Sequence, residues 1–423
     1  MIIRSAIAGN TGSRELPKKI TCMPCVPGSS WQNDAMNRIK IVLICIFASF
    51  VISGFLNPIG LISASVAQAY GMTVTEAVAH FGYFTVGVFV GYVLSFYVFD
   101  YLKIKTVVIG GYLLISVSAA AVYTVDSRFA LIVCLFSIGV FASIQVCGAS
   151  TLVSRIWDGK PRQTVLMAQD AMFNGGGIIF TALTTWFLAA NYHWASTYAV
   201  VGVIVLLIAA MAATTEIKET QSDGEASHAD TRWNIGILAV GGSVLLFMTA
   251  KISIFIWAPQ YVGQEFGATI EQSGRLLTNI FTGAFFGSIA GTYIVSRIRI
   301  EFFLIAMLSI GATGLWLLLH ATDLPRALTT AYIVGASVGA TFNGYMAFGL
   351  SFVETPTHKN VAYVLLAGGI GSAIAPLFSS QLVESTGEVR DALVACLAIQ
   401  VLVLLSVLLL SIFVRRSQTQ VAS

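Results

Sequence analysis

Charge is what this chain lacks most. Of its 423 residues only 10% are Asp, Glu, Lys or Arg, against 57% hydrophobic. A soluble chain carries about 25% charged residues, so an aqueous globular fold is excluded and lipid is the implied solvent. The 23 Lys and Arg against 20 Asp and Glu leave a dispersed net charge of +3, which excludes a nucleic-acid partner. Cysteines number only six. Cys45, Cys134, Cys147 and Cys396 fall in apolar segments and read as small packing residues. Cys22 and Cys25 form a lone CxxC with no second ligand pair nearby, so no metal, redox centre or other cofactor is expected. The five histidines are scattered, and HExxH and paired acidic motifs are missing, so the chain is not expected to be an enzyme. Long polar stretches are equally few. Residues 1–35 and 214–233 are the longest, too short for a soluble sensory domain, and a non-transporting sensor or scaffold stands only as an alternative.

Apolar runs are what the chain has in abundance. About 20 apolar residues cross roughly 30 Å of hydrocarbon. Twelve runs qualify: 40–67, 78–99, 105–125, 129–154, 164–189, 195–213, 234–261, 276–296, 302–320, 327–352, 361–383 and 391–414. The fold class is therefore an all-α, polytopic membrane protein. Fourteen Lys and Arg residues lie at one set of loops and ends, among them Arg38, Lys40, Lys103, Lys105 and Arg155. Four lie at the other: Arg128, Arg275, Arg326 and Arg390. That bias puts both termini in the cytoplasm, as an even number of crossings requires. Residues 1–35 are polar, with no continuous apolar core for a signal peptide. The tail is expected to be disordered, or translation begins at Met36. Residues 36–213 then form one six-helix half, 214–233 a flexible cytoplasmic linker, 234–414 a second half and 415–423 a short tail.

An offset of 196 residues aligns the two halves. Tyr70-Gly71-Met72-Thr73 meets Phe266-Gly267-Ala268-Thr269; Gly87, Phe89 and Gly91 meet Gly283, Phe285 and Gly287. Gly139 and Gly148 meet Gly335 and Gly344, and Gly175 and Ile178 meet Gly371 and Ile374. One constant offset over four element pairs implies two parallel six-helix halves related by an axis along the membrane normal.

In such an architecture a solute site lies between the halves near the midplane. Lys251 is the leading candidate, because a charge at that depth costs roughly 2.5 to 3.5 kcal/mol on insertion scales. It either faces a partner or cavity, or its stem snorkels toward the surface. Asp170 is a gate or proton site, or an interfacial carboxylate paired with Arg155 or Arg162. Asn174 lies one turn on, on the same face. The Gly175-Gly176-Gly177 run permits close helix approach, and no GK[ST] follows to make a phosphate loop. Asn57, Gln145, Asn279 and Asn343 are neutral candidates that either meet solute or simply bridge helices. Trp257, Gln260 and Tyr261 read first as anchors at the membrane interface.

The segments LLFMTAKISIFIWAPQYV and AQDAMFNGGGIIF resemble TsgA-like members of the major facilitator superfamily, a branch similar to the fucose permease family of sugar–proton symporters. The resemblance covers nearly the whole chain from Met36. Gln169 matches the AQ of the permeases' AQ-x-x-N-x-x-G-x-I pattern, with the Asn shifted. In TsgA-like chains the Asp170 position is likewise acidic. FDYLKIKT is a degenerate facilitator motif retaining Asp100 and Lys105, and the resemblance implies a cytoplasmic gate there. The family carries carboxylates in its first and fourth spans. Here the first span has none and Gln145 stands in the fourth, where it cannot titrate. Relatives usually carry Gln or Glu at the Lys251 position. The resemblance implies secondary transport of a small polar solute, sugar-like or an organic anion, by alternating access. Protons are a candidate co-solute, and a monomer in the bacterial inner membrane is implied. Efflux of drugs or metabolites is the alternative, since topology does not fix direction.

Overall fold

The structure, a computed structural model, describes residues 28–156, 159–216, 233–295, 297–353 and 358–421. In the first half the helices are α1 (Gly28–Leu56), α2 (Ile59–Tyr70), α3 (Val74–Tyr101), α4 (Ile104–Thr124), α5 (Arg128–Ile156), α6 (Gly159–Ala189) and α7 (Ser196–Ala213). The second half contains α8 (Ile235–Phe266), α9 (Ile270–Val295), α10 (Ile300–Leu319), α11 (Leu324–Leu350), α12 (His358–Thr386) and α13 (Val389–Val421). Residues 1–27 and 217–232 of the expected tail and linker lie outside the described residues. Residues 28–35, expected within a disordered tail, continue α1 as helix. Adding residues to a formed helix gains one backbone bond each, without a new nucleation cost.

Among the described residues, eleven helices are long and apolar enough to cross a membrane. The remaining expected crossing, 276–296, is α9, whose Glu271, Gln272, Arg275 and Asn279 dilute its apolar character. Its packing resolves the conflict. One side is covered by α6, α8 and α11. The other presents Phe286, Ile289 and Tyr293 as an exposed apolar stripe at helical spacing.

The first expected span, 40–67, is broken into α1 and α2 at Asn57-Pro58. Proline has no N–H to donate and its ring crowds the preceding turn. The interrupted ladder leaves the Phe55 carbonyl to another donor, and the buried Tyr198 hydroxyl of α7 donates to it at 2.7 Å. Asn57 Nδ2 donates to Ser53 Oγ at 2.6 Å, closing the turn before the break.

The repeat recurs contact by contact. Gly71 and Gly267 end α2 and α8 in the left-handed region, at φ 59° and 62°. Thr73 and Glu76 then exchange backbone-to-side-chain bonds at the start of α3. Thr269 and Gln272 do the same at the start of α9. Such reciprocal caps satisfy helix-end donors that would otherwise be orphaned. Gly87 of α3 lies against the Phe136 carbonyl of α5, and Gly283 of α9 against the Tyr332 carbonyl of α11. In reverse, Gly139 meets the Phe84 carbonyl and Gly335 that of Ile280. These pairs all keep the same offset. Backbones approach so closely only where no side chain intervenes, and dispersion then replaces the hydrophobic effect as the adhesive.

Asn37, Lys40 and Lys105 bond to residues 213–216 at the end of α7, which defines one face of the bundle, the terminal face. Arg128 binds the Tyr70 and Gly71 carbonyls at the opposite face. The halves meet along α3–α12, α6–α9 and α2–α8. At the opposite face Gly60 of α2 backs onto the Phe255 and Ile256 carbonyls, Gly82 onto Leu377, and Gly274 onto Thr185. Nearer the terminal face, Gly369 of α12 lies against Tyr92 and Phe89 of α3.

Candidate functional site

Lys251 sits at the midpoint of α8, roughly 23 Å along the axis from either end. Its residue exposure is 9%. The Nζ lies 5.8 Å from the ring centroid of Phe173 and 5.9 Å from that of Phe255. Both distances are within cation–π range, where an aromatic face attracts a desolvated ammonium. Phe255 is one turn along α8. Phe173 belongs to α6, in the other half. The ammonium is thus turned into the seam between halves, and not along its own helix toward an end.

Aromatic rings continue from there. Phe281 of α9 lies 4.8 Å from Phe255, centroid to centroid, and fits against Gly177 of α6. Phe285 lies beside Gly175. The Gly175-Gly176-Gly177 run therefore lets rings from α9 approach the backbone of α6. Gly176 meets Ser53 and Phe50 of α1 on another side of the same helix.

Asn174 adjoins Phe173 and is 4% exposed. Its Nδ2 donates to Ser288 Oγ of α9 at 3.2 Å, and Ser288 Oγ donates to the Ala284 carbonyl at 2.8 Å. Asn174 Oδ1 has no hydrogen-bond partner among the described residues. A buried amide oxygen left unpaired is costly, and Asn57 Oδ1 and Gln145 Oε1 are likewise buried without a partner among the described residues. Asn57 reaches the same neighbourhood indirectly. It donates to Ser53 Oγ, which donates to the Phe173 carbonyl at 2.7 Å.

The other candidates lie elsewhere. Gln145 Nε2 donates to the Val107 carbonyl at 3.0 Å and lies over Gly111 of α4, inside the first half. Asn279 Nδ2 donates to the Leu328 carbonyl of α11 at 2.9 Å, inside the second. Lys105 Nζ donates to the Ala213 and Thr215 carbonyls at 2.9 and 3.0 Å, at the end of α7. The side chains of Asp100, Asp170 and Asn343 lie outside the described set, although their backbones are helical. The reading of Trp257 and Tyr261 as interface anchors is corrected: they are 1% and 2% exposed. At their level α8 is wrapped by α2 and its neighbours in the second half, so the rings face protein. Ser53, Phe173, Phe255, Phe281 and Ser288 were missed in the sequence. Only Phe255 carried a signal, its four-residue spacing from Lys251 on one helix.

The arrangement places a cation between aromatic rings of the two halves at the middle of the bundle. No cluster of three His, Cys, Asp or Glu among the described residues could hold a metal ion.

The Major Facilitator Superfamily model matches residues 42–376. A TsgA homologue from Edwardsiella ictaluri is 22% identical over 361 residues, covering 83% of this chain and 90% of the relative. TsgA of Escherichia coli O157:H7 is 22% identical over 363 residues, covering 85% and 92%. Among solved structures, a D-xylose–proton symporter superposes with a TM-score of 0.73 at 13% identity, covering 88% of this chain and 97% of that one. A bacterial homologue of the human lysosomal transporter Spinster, inward-facing and occupied, superposes at 0.69 and 12% identity, covering 90% and 97%. The nucleoside transporter NupG gives 0.70 at 11% identity, covering 88% and 99%. With the family matched across both halves, this chain belongs to the Major Facilitator Superfamily and is a secondary active solute transporter, not an enzyme.

Proposed function

We propose that the protein moves a small organic solute across the bacterial inner membrane, both termini being cytoplasmic, with Lys251 as the group that holds it. The observation carrying this reading is the position of the Lys251 ammonium, between Phe173 of one half and Phe255 of the other. A solute bound there touches both halves, so its binding energy acts on their relative position, as alternating access requires. The fourteen-to-four distribution of Lys and Arg supports the orientation. Asp170, one turn before Phe173 in α6, is the coupling residue of this scheme, since Gln145 carries no proton. Asp100 belongs to the gate at the terminal face. The protein works as a monomer in lipid, because the solute site is complete within one chain.

Lys251→Gln tests the anchor. Uptake in cells or proteoliposomes is expected to fall at least about tenfold, the scale of one lost charge-assisted contact, at unchanged expression. Unaltered transport kinetics would remove Lys251 from the site.

A further inference from the structure

The outer side of α9 ends on a cation that lies away from the solute seam. We propose that the foot of α9 binds the headgroup of an acidic phospholipid, in the leaflet at the terminal face.

Four observations point there. Phe286, Ile289 and Tyr293 form an exposed apolar stripe on α9, and in a bilayer acyl chains lie against such a surface. Arg297 follows one turn beyond Tyr293, just past the end of the helix at Val295. Its guanidinium carbon lies 4.8 Å from the centroid of the Tyr293 ring, within cation–π range. A guanidinium held over a ring keeps its N–H donors in its own plane, where a phosphate can take two of them at once. Charge is the third observation. Arg299, two residues on, is held by Glu301 at 2.9 Å. Arg297 is exposed and has no carboxylate partner among the described residues. The connection between α9 and α10 thus neutralises one of its two arginines and leaves the other to an external anion. An apolar stripe leading up to an unneutralised cation matches an amphiphile, since chains and headgroup are met in the right order. Finally, the halves differ here. The positions 196 residues earlier are Tyr97, Tyr101 and Lys103, all exposed. The tyrosine and the second cation recur, but the arginine does not, so the stack belongs to the second half alone. The inner side of the same helix carries Phe281 and Ser288 to the seam. A lipid held at Arg297 therefore fastens the foot of a helix on which the two halves meet.

The test titrates purified full-length protein in neutral detergent with phosphatidylglycerol, phosphatidylcholine or soluble glycerol phosphate, and counts bound molecules by native mass spectrometry. Phosphatidylglycerol is expected to bind at least about fivefold more tightly than phosphatidylcholine, the scale of one cation near an acidic headgroup. Glycerol phosphate has no acyl chains and is expected not to bind at the same concentrations. Arg297→Gln should remove about fivefold of the phosphatidylglycerol affinity. Arg297→Lys keeps the charge without the planar fork and should fall between the two. Tyr293→Leu, which takes away the ring under the guanidinium, should cost about threefold. Lys103→Gln, at the matching place in the first half, should change nothing. Melting temperatures of the lipid-free variants establish that each is folded. Equal retention of the two lipids by the wild type overturns the acidic preference. A folded Arg297→Gln protein that binds phosphatidylglycerol like the parent removes the site from α9. An equal loss in Lys103→Gln reduces it to diffuse attraction along the rim, and glycerol phosphate binding as tightly as the lipid makes it a site for soluble anions; either result overturns the proposal.

Discussion

Lys105 donates to two carbonyls at the end of α7, where the helix dipole is negative and carbonyls lack partners. This is a capping role inside one half, unlike the gate its motif implies. The two roles separate experimentally. Lys105→Met is expected to cost about 0.5 to 1 kcal/mol of stability, read as a lower melting temperature in detergent, with uptake per folded molecule preserved. A variant of wild-type stability that fails to transport would return Lys105 to the gate. The residue scale is also where the sequence was least legible. A polar residue inside an apolar run announces itself, and Lys251, Asn57 and Asn174 were visible for that reason. Which way the helix turns it is a tertiary matter. Gln145 and Asn279 look as exposed to solute as Asn174 does on paper, yet each faces a neighbouring helix of its own half. Phe173, Phe281 and Ser288 are ordinary residues of apolar spans, and only the docking of α6 onto α9 gives them a place at the seam.

At the scale of elements the chain was far more readable, because helix ends and helix contacts leave chemical marks. The left-handed glycines Gly71 and Gly267 and the caps at Thr73 and Thr269 sit at one offset. So do the glycine contacts between α3 and α5 and between α9 and α11. What the apolar pattern hid was the break at Asn57-Pro58, since the residues on both sides are equally apolar. The glycine contacts yield a paired prediction. Gly139→Val and Gly335→Val place branched side chains against the Phe84 and Ile280 carbonyls respectively, so each must force its helix pair apart. Overpacking of this kind costs about 1 to 3 kcal/mol. Both variants are expected to melt several degrees lower than the parent, in fluorescence-detected size-exclusion melts. A tolerated valine at either position contradicts the close backbone contact there.

Across the whole molecule, the halves meet through α2 against α8 and, toward the opposite face, through Gly82 of α3 against the Leu377 side chain of α12. Holding the opposite face shut should stop the cycle. A Gly82→Cys, Leu377→Cys protein, made in a background lacking the six native cysteines, is expected to lose uptake on mild oxidation and regain it with dithiothreitol. Each single-cysteine control should remain active under oxidant. Full activity of the oxidised, cross-linked pair would show that this face need not open.

The interruption before Pro58 bears on how that face parts. Only the Phe55 carbonyl, taken over by the Tyr198 hydroxyl, and the turn closed by Asn57 mark the junction. Beyond it α2 is a short rod of 12 residues lying on α8 through a side-chain-free surface at Gly60. The shaft is tied to α6 through Ser53, whereas Ile59, Ile62 and Val66 of the tip are fully buried. Tip and α8 thus form one close-packed wedge, and any solute passing that side must part backbone from backbone.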